Sequence, residues 1–158
     1  MKITRRDFFT KTIQGAALVI IPAALGSFLE SCKNQITNPA NTGTNLQTIN
    51  TTSSNGNIIL NVDSSSPLAN TGSAALVNYQ SGSLLVDHPS DNTFNALSAV
   101  CTHQGCIVSS YDAGSSQFVC PCHGSRYDVN GQVKQGPASY PLTKYQTQFA
   151  NNKLTIKV

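Results

Sequence analysis

The chain has 158 residues, ten basic and seven acidic side chains and a formal charge of +3, with 39% apolar residues, five Cys, three His and no Trp. Charged side chains are scarce and Ser, Thr, Asn and Gln abundant, which argues against a helical cytosolic protein and for an all-β exported one. Lys2, Arg5, Arg6 and Lys11 sit in the first 32 residues, so the remainder is almost neutral and carries no basic stripe for nucleic acid.

The N-terminus, MKITRRDFFTK, is followed by an uncharged run from Thr12 to Leu29. A basic region ahead of an apolar one reads as a secretory signal. The Arg5-Arg6 pair, with Thr4 before it and Phe8 after it, resembles a twin-arginine signal, which implies export of an already folded protein, including one whose cofactor is inserted in the cytosol. The apolar run is just long enough to stay as an uncleaved membrane helix. Alternatively, Leu29-Glu30-Ser31-Cys32 resembles a lipobox with Cys32 as the lipidated residue. Either route tethers the domain to a membrane, on the outer, periplasmic face of the bacterial cytoplasmic membrane.

Residues 1–32 are thus read as signal or anchor, residues 33–56 as a linker and residues 57–158 as one small domain. The linker, containing QITNPANTGTNLQTINTTSSNG, is polar and turn-rich with no apolar periodicity. From Ile58 onward short apolar runs follow one another: IILNV, AALVNY, SLLVD and Phe94 to Val100, each bounded by Gly, Pro, Asn or Ser. Tyr127, Val129 and Val133 flank Asn130-Gly131, a strong hairpin signal. At the end Leu154, Ile156 and Val158 alternate with Thr155 and Lys157 after Asn151-Asn152, a closing hairpin with one buried face. His88, in Asp87-His88-Pro89, reads as an exposed turn residue, and Asp112 and Arg126 as solvated loop charges.

Four of the five cysteines and two of the three histidines fall in two boxes, CTHQGC from Cys101 and CPCHGS from Cys120. Each box follows an expected strand, Ala96 to Val100 and Gln117 to Val119, so the ligands would sit on two loop tips held apart by strands. Six soft groups exceed the four required by a tetrahedral zinc ion or a [2Fe-2S] cluster, and in an exported protein two surplus cysteines can form a disulfide.

The spacing of the two boxes, C-T-H-Q-G-C and C-P-C-H-G-S-R-Y-D, resembles the paired motifs of Rieske iron-sulfur proteins, in the disulfide-containing branch of cytochrome bc and b6f complexes. The resemblance implies a small antiparallel domain of stacked sheets with a two-loop cluster-binding subdomain. It also implies one [2Fe-2S] cluster, with Cys101 and Cys120 ligating one iron, His103 and His123 ligating the other, and Cys106 and Cys122 joined as a disulfide. Ser125 and Tyr127 stand where high-potential members place hydroxyl donors to a bridging sulfide and to a ligand sulfur; Gly136-Pro137-Ala138 resembles the third, cluster-covering loop. The disulfide pair argues against an oxygenase component.

The ligand mixture has its own chemical logic. Two thiolates neutralise the two formal positive charges of an oxidised [2Fe-2S] core, whereas four leave it doubly negative. Adding an electron to the neutral site costs less, so potentials lie at roughly −150 to +300 mV rather than about −400 mV. A neutral imidazole also has an N–H that can titrate, so a proton can accompany the electron. The resemblance therefore implies an electron carrier that takes electrons from a quinol beside a cytochrome b-type subunit and passes them to a c-type cytochrome, with His103 or His123 receiving the proton. Gln104, where quinol-oxidising members commonly carry Leu, leaves a second partner open: the large subunit of an exported molybdenum oxidase resembling arsenite oxidase. A zinc-stabilised or disulfide-stapled binding module is the reading from another class.

Overall fold

The computed structural model describes residues 43–158; the expected signal or anchor, Cys32 and the first part of the expected linker lie outside the described residues. Among the described residues there are thirteen strands and no helix. The strands are β1 (Thr44–Asn45), β2 (Gln47–Asn50), β3 (Ser53–Ser54), β4 (Asn57–Asn61), β5 (Ala74–Tyr79), β6 (Gly82–Ser90), β7 (Thr93–Ser98), β8 (Ser110–Asp112), β9 (Gln117–Val119), β10 (Arg126–Asp128), β11 (Val133–Gln135), β12 (Lys144–Ala150) and β13 (Lys153–Lys157).

The strands form two sheets, a large one in the order β2-β5-β6-β7-β12-β13-β4-β3 and a small one in the order β1-β8-β9-β10-β11. All pairings are antiparallel except β2 with β5. β2 and β3 end up on opposite edges of the large sheet although only Thr51 and Thr52 separate them, so the sheet curls until its edges approach. Gln80 bridges the seam: its Nε2 donates to the Ser53 carbonyl and its Oε1 accepts the Ser53 N–H, both at 2.9 Å. A side-chain amide thereby takes the place of a neighbouring strand.

The segment expected to be a linker from residue 33 to residue 56 is therefore part of the sheets from Thr44 onward. Polarity concealed this, because β1 to β3 are edge strands with mostly exposed side chains and are held by backbone hydrogen bonds rather than by an apolar face.

Strands β5 to β7 are buried on both faces, so period-2 alternation divides their side chains between two cores. Ala75, Val77, Leu84, Val86 and Ala96 pack with Ile58, Leu60, Leu154 and Ile156 of the covering strands. Leu76, Leu85 and Leu97 face the other way, onto Tyr111, Phe118 and Tyr127 of the small sheet. Cys101 and Cys120 belong to this second core. Each fully buried aliphatic side chain contributes about 1.5–3 kcal/mol, so the loops bearing these cysteines are rooted in apolar packing.

Both expected hairpins form. Asn151 and Asn152 have φ of 51° and 57°, as a two-residue type I′ turn requires, and the Phe149↔Leu154 pair sets the register that buries Leu154 and Ile156. The Asn130-Gly131 turn is longer: the Asp128 carbonyl accepts the Gly131 N–H and its carboxylate accepts from Asn130 and Gln132.

His88 departs from expectation. β6 continues through Pro89 to Ser90, so His88 is buried rather than exposed in a turn. Its Nδ1–H donates to the Leu68 carbonyl at 2.9 Å and its ring stacks on Phe94 at 4.2 Å. A Pro after a polar pair suggests a turn, yet it is compatible with a strand end where the missing N–H leaves no ladder bond open. Asp87, its neighbour, is also buried, on the opposite face of the strand. Its Oδ2 accepts from Asn95 Nδ2 at 3.1 Å while Oδ1 has no partner among the described residues.

Asp112 and Arg126 are likewise not free loop charges. They lie on β8 and β10, either side of β9, and form a partly buried ion pair at 3.0 Å. Ser115 and the Arg126 guanidinium hold the Asp112 carboxyl below its usual range.

Candidate metal centre

Two loops of the same backbone form hold the chemistry. In the first, the Cys101 N–H donates to the Cys106 carbonyl at 2.8 Å and the Gly105 N–H donates back to the Cys101 carbonyl at 2.9 Å. In the second, Cys120 N–H to Ser125 carbonyl and Gly124 N–H to Cys120 carbonyl repeat the pattern at the same distances. Gly105 and Gly124 have φ of 76° and 75°, a left-handed turn that any side chain would strain. In this shared frame Cys101 matches Cys120 and Cys106 matches Ser125, while His103 stands one place nearer the start of its loop than His123.

The frame brings the six predicted ligand and bridge residues together. Cys101 and Cys120 are free thiols, both buried, at the floor. The His103 and His123 rings meet edge to face at 4.9 Å, His103 half-buried and His123 exposed. Cys106 and Cys122 form a disulfide that joins the loops, with Cα atoms 6.5 Å apart. The Nδ1 of His103 is buried without a hydrogen-bond partner, a costly condition for a polar atom and the one expected of a ring nitrogen that binds a metal. Two thiols and two imidazoles on facing loops are the donor set of a [2Fe-2S] centre with mixed ligation.

Hydroxyl groups surround the Cys101 sulfur. Tyr127, fully buried, places its hydroxyl 3.2 Å from Cys101 Sγ and accepts the Thr102 N–H at 3.2 Å. The Thr102 hydroxyl donates to the Tyr140 carbonyl at 2.6 Å, which leaves the Tyr127 proton for the Cys101 sulfur or the Thr102 oxygen 3.0 Å away. Ser125 Oγ accepts the Ala138 N–H at 3.0 Å, so its own proton is free for sulfur. Burial pushes the Cys101 thiol up, but hydrogen bonds from Tyr127, the His103 N–H, Cys120 and Ser125 outweigh it and hold the group below its ordinary value. Burial, together with the neighbouring Cys101, pushes Cys120 up.

The third loop, from Gly136 to Tyr140, is fastened to both of the others, to the first through Thr102 and to the second through Ser125. Gln135, just before it, donates from Nε2 to the Gly124 carbonyl at 3.2 Å. Sequence reasoning did not single out Thr102 or Gln135. A hydroxyl between two ligands was the only available signal for the first, and none existed for the second.

Comparison with known proteins agrees with this geometry. The model of the Rieske [2Fe-2S] domain family matches residues 60–146. The cytochrome b6-f complex iron-sulfur subunit of Prochlorococcus marinus strain MIT 9515 is 40% identical over 74 residues, 47% of this chain and 41% of that protein. The chloroplastic subunit of Bigelowiella natans is 42% identical over 74 residues, 46% of this chain and 29% of that protein. The chain thus spans less than half the length of these relatives. Among solved structures, a complex of reduced oxygenase and oxidized ferredoxin in carbazole 1,9a-dioxygenase contains a chain of similar fold, with a TM-score of 0.52 and 25% identity, over 63% of this chain and 93% of that one.

Proposed function

Because the chain belongs to the Rieske [2Fe-2S] domain family, we propose that it is a membrane-tethered electron carrier of a cytochrome bc-type complex, taking electrons from a quinol and passing them to a c-type cytochrome. Its cofactor is one Rieske-type [2Fe-2S] cluster. The observation that carries the proposal is the pair of matching loops, which set two buried thiols and two imidazoles beside a disulfide. Cys101 and Cys120 would hold one iron and His103 and His123 the other. When bound, the cluster supplies a one-electron couple.

The chain's own residues do the rest. Tyr127 and Ser125 direct hydroxyl protons at ligand sulfur, which drains negative charge and favours the reduced state. His123 is exposed at the loop tip and is the imidazole best placed to take a proton from a docked quinol. The disulfide and the third loop hold the tip rigid. Among the described residues, three of the four large exposed hydrophobics, Val100, Ile107 and Tyr140, belong to the segments that make up the three loops and their bases, which suits docking there against a partner. The tether is assigned to the N-terminal signal or to Cys32, on the outer face of the cytoplasmic membrane.

The test is a redox titration of the cluster-loaded full chain across pH, followed by electron paramagnetic resonance. A positive potential that falls as pH rises through a histidine ionisation supports quinol oxidation. A low potential, insensitive to pH near neutrality, would refute it. Gln104, polar and exposed at the tip of the first loop, favours a second partner, a molybdenum oxidase large subunit. Quinol-dependent reduction by the isolated membrane complex would exclude it.

A further inference from the structure

Sulfur atoms crowd the point where the two loops meet. The Cys120 sulfur lies within 4.8 Å of both sulfurs of the Cys106–Cys122 disulfide. A thiol set against a disulfide is the starting arrangement of thiol–disulfide exchange, in which one sulfur displaces another without an external oxidant. Resting on the ligand assignment above, we propose that the bound cluster keeps this exchange from running: once Cys120 is released from iron, its sulfur displaces Cys122 and relocates the disulfide to Cys106–Cys120.

The step balances within the chain. The Cys106–Cys122 bond breaks, a Cys106–Cys120 bond forms, and the proton of the Cys120 thiol ends on Cys122. No electron enters or leaves. Attack on Cys106 is preferred over attack on Cys122 because the latter would close a ring through Cys120-Pro121-Cys122 alone, where Pro121 fixes one backbone angle. Attack on Cys106 keeps the link between loops and closes almost the same length of chain as the present bridge, whose sequence separation is 16, so loop entropy scarcely changes. The exchange also moves the free thiol from Cys120, fully buried, to Cys122, which is exposed to water.

Cluster loss is then self-locking. The relocated disulfide consumes a thiol that the cluster needs, and only a reductant can return it. Such a chain must acquire its cluster before its cysteines are oxidised, or together with that event.

The experiment uses the cluster-loaded full chain. Iron is removed anaerobically at neutral pH with a chelator and no reductant, samples are quenched in acid at intervals, and free thiols are alkylated with N-ethylmaleimide in denaturant and located by peptide mass mapping. The loaded protein should label at Cys101 and Cys120. After iron removal the second label should move to Cys122, rising at least fivefold there, while Cys101 stays labelled. Labels that remain on Cys101 and Cys120 would overturn the proposal, and so would a label that appears on Cys106. A Cys120→Ser variant separates the alternatives. Cys122 should stay unlabelled in it, and labelling there would mean that the bridge opens by another route. If instead the variant binds a two-iron cluster with the native resonance signature, the ligand assignment has failed rather than the exchange.

Discussion

Asp87→Asn removes a buried charge site without changing its shape, and its effect should depend on pH in a calculable way. Asp87 is 1% exposed, and burial raises its carboxyl from 3.8 to about 7, with the Asn95 amide and the Lys144 charge opposing the rise. The groups packed around it are Asn95 on β7, Lys144 on β12, Tyr111 on β8 and Ala74 on β5. Because the folded carboxyl binds its proton more tightly than the unfolded one, the folded state carries more protons between about pH 4 and pH 7. Stability therefore falls as pH rises through that window and levels off above about 7. A shift of roughly three pH units at 1.36 kcal/mol each gives an upper limit of about 4 kcal/mol. The Asn variant lacks this loss, so it should match wild type below about pH 4, begin to exceed it by about pH 5 and exceed it by up to about 4 kcal/mol at pH 8. Urea denaturation of both proteins at each pH measures the difference, in which contributions common to the two proteins cancel. A difference that does not change with pH would refute the reasoning, since it would mean that Asp87 binds its proton equally well in the folded and unfolded states.

Tyr127→Phe removes the hydroxyl 3.2 Å from Cys101 Sγ; the cluster should still bind, with a potential lower by tens of mV, on the order of one hydrogen bond to a charged group, as read by redox titration. Replacing Cys106 and Cys122 together with Ser leaves the assigned ligands in place but removes the link between the loops, a loss of about 3 kcal/mol for a bridge of this span; the lifetime of the visible absorption in warm buffer should shorten, and an unchanged lifetime would count against the bridge as a support. Gly131→Ala should destabilise the fold by about 1–3 kcal/mol, because φ is +82° and an added Cβ would stand 2.9 Å from the Leu142 carbonyl; a thermal melt checks it.

The parts of the fold that were legible in sequence are those with a side-chain period. β5 and β6 and the closing hairpin appear as apolar runs because their side chains face a core, and the paired asparagines mark the turn because two consecutive residues there need positive φ. β1, β2 and β3 carry no such mark. Their place is set by backbone pairing to β8, β5 and β4 and by the amide of Gln80, none of which leaves a pattern in hydrophobicity. His88 was misjudged for a related reason. A strand buried on both faces can hold a polar residue when a distant carbonyl or amide meets it, and Leu68 and Asn95 are not identifiable as such partners from the local sequence.

The candidate metal centre was legible because the residues proposed to hold it are chemically rare and closely spaced. What the spacing did not reveal is that the two boxes are one loop used twice. The repeated hydrogen bonds and the matched glycines show it, and they also explain why the boxes differ in order. In a shared frame the third position holds His103 in one loop and Cys122 in the other, and the closing position holds Cys106 in one and Ser125 in the other. The bridge therefore runs between unlike positions, from the end of the first loop to the middle of the second. That offset leaves Ser125 without a disulfide duty, and its hydroxyl, fixed by the Ala138 N–H, is free to act on sulfur. A second box with the pattern of the first would have placed a cysteine sulfur there instead of a hydroxyl donor. The asymmetry of CTHQGC and CPCHGS is thus what gives the centre a second hydroxyl partner, Ser125, in addition to the one supplied by Tyr127.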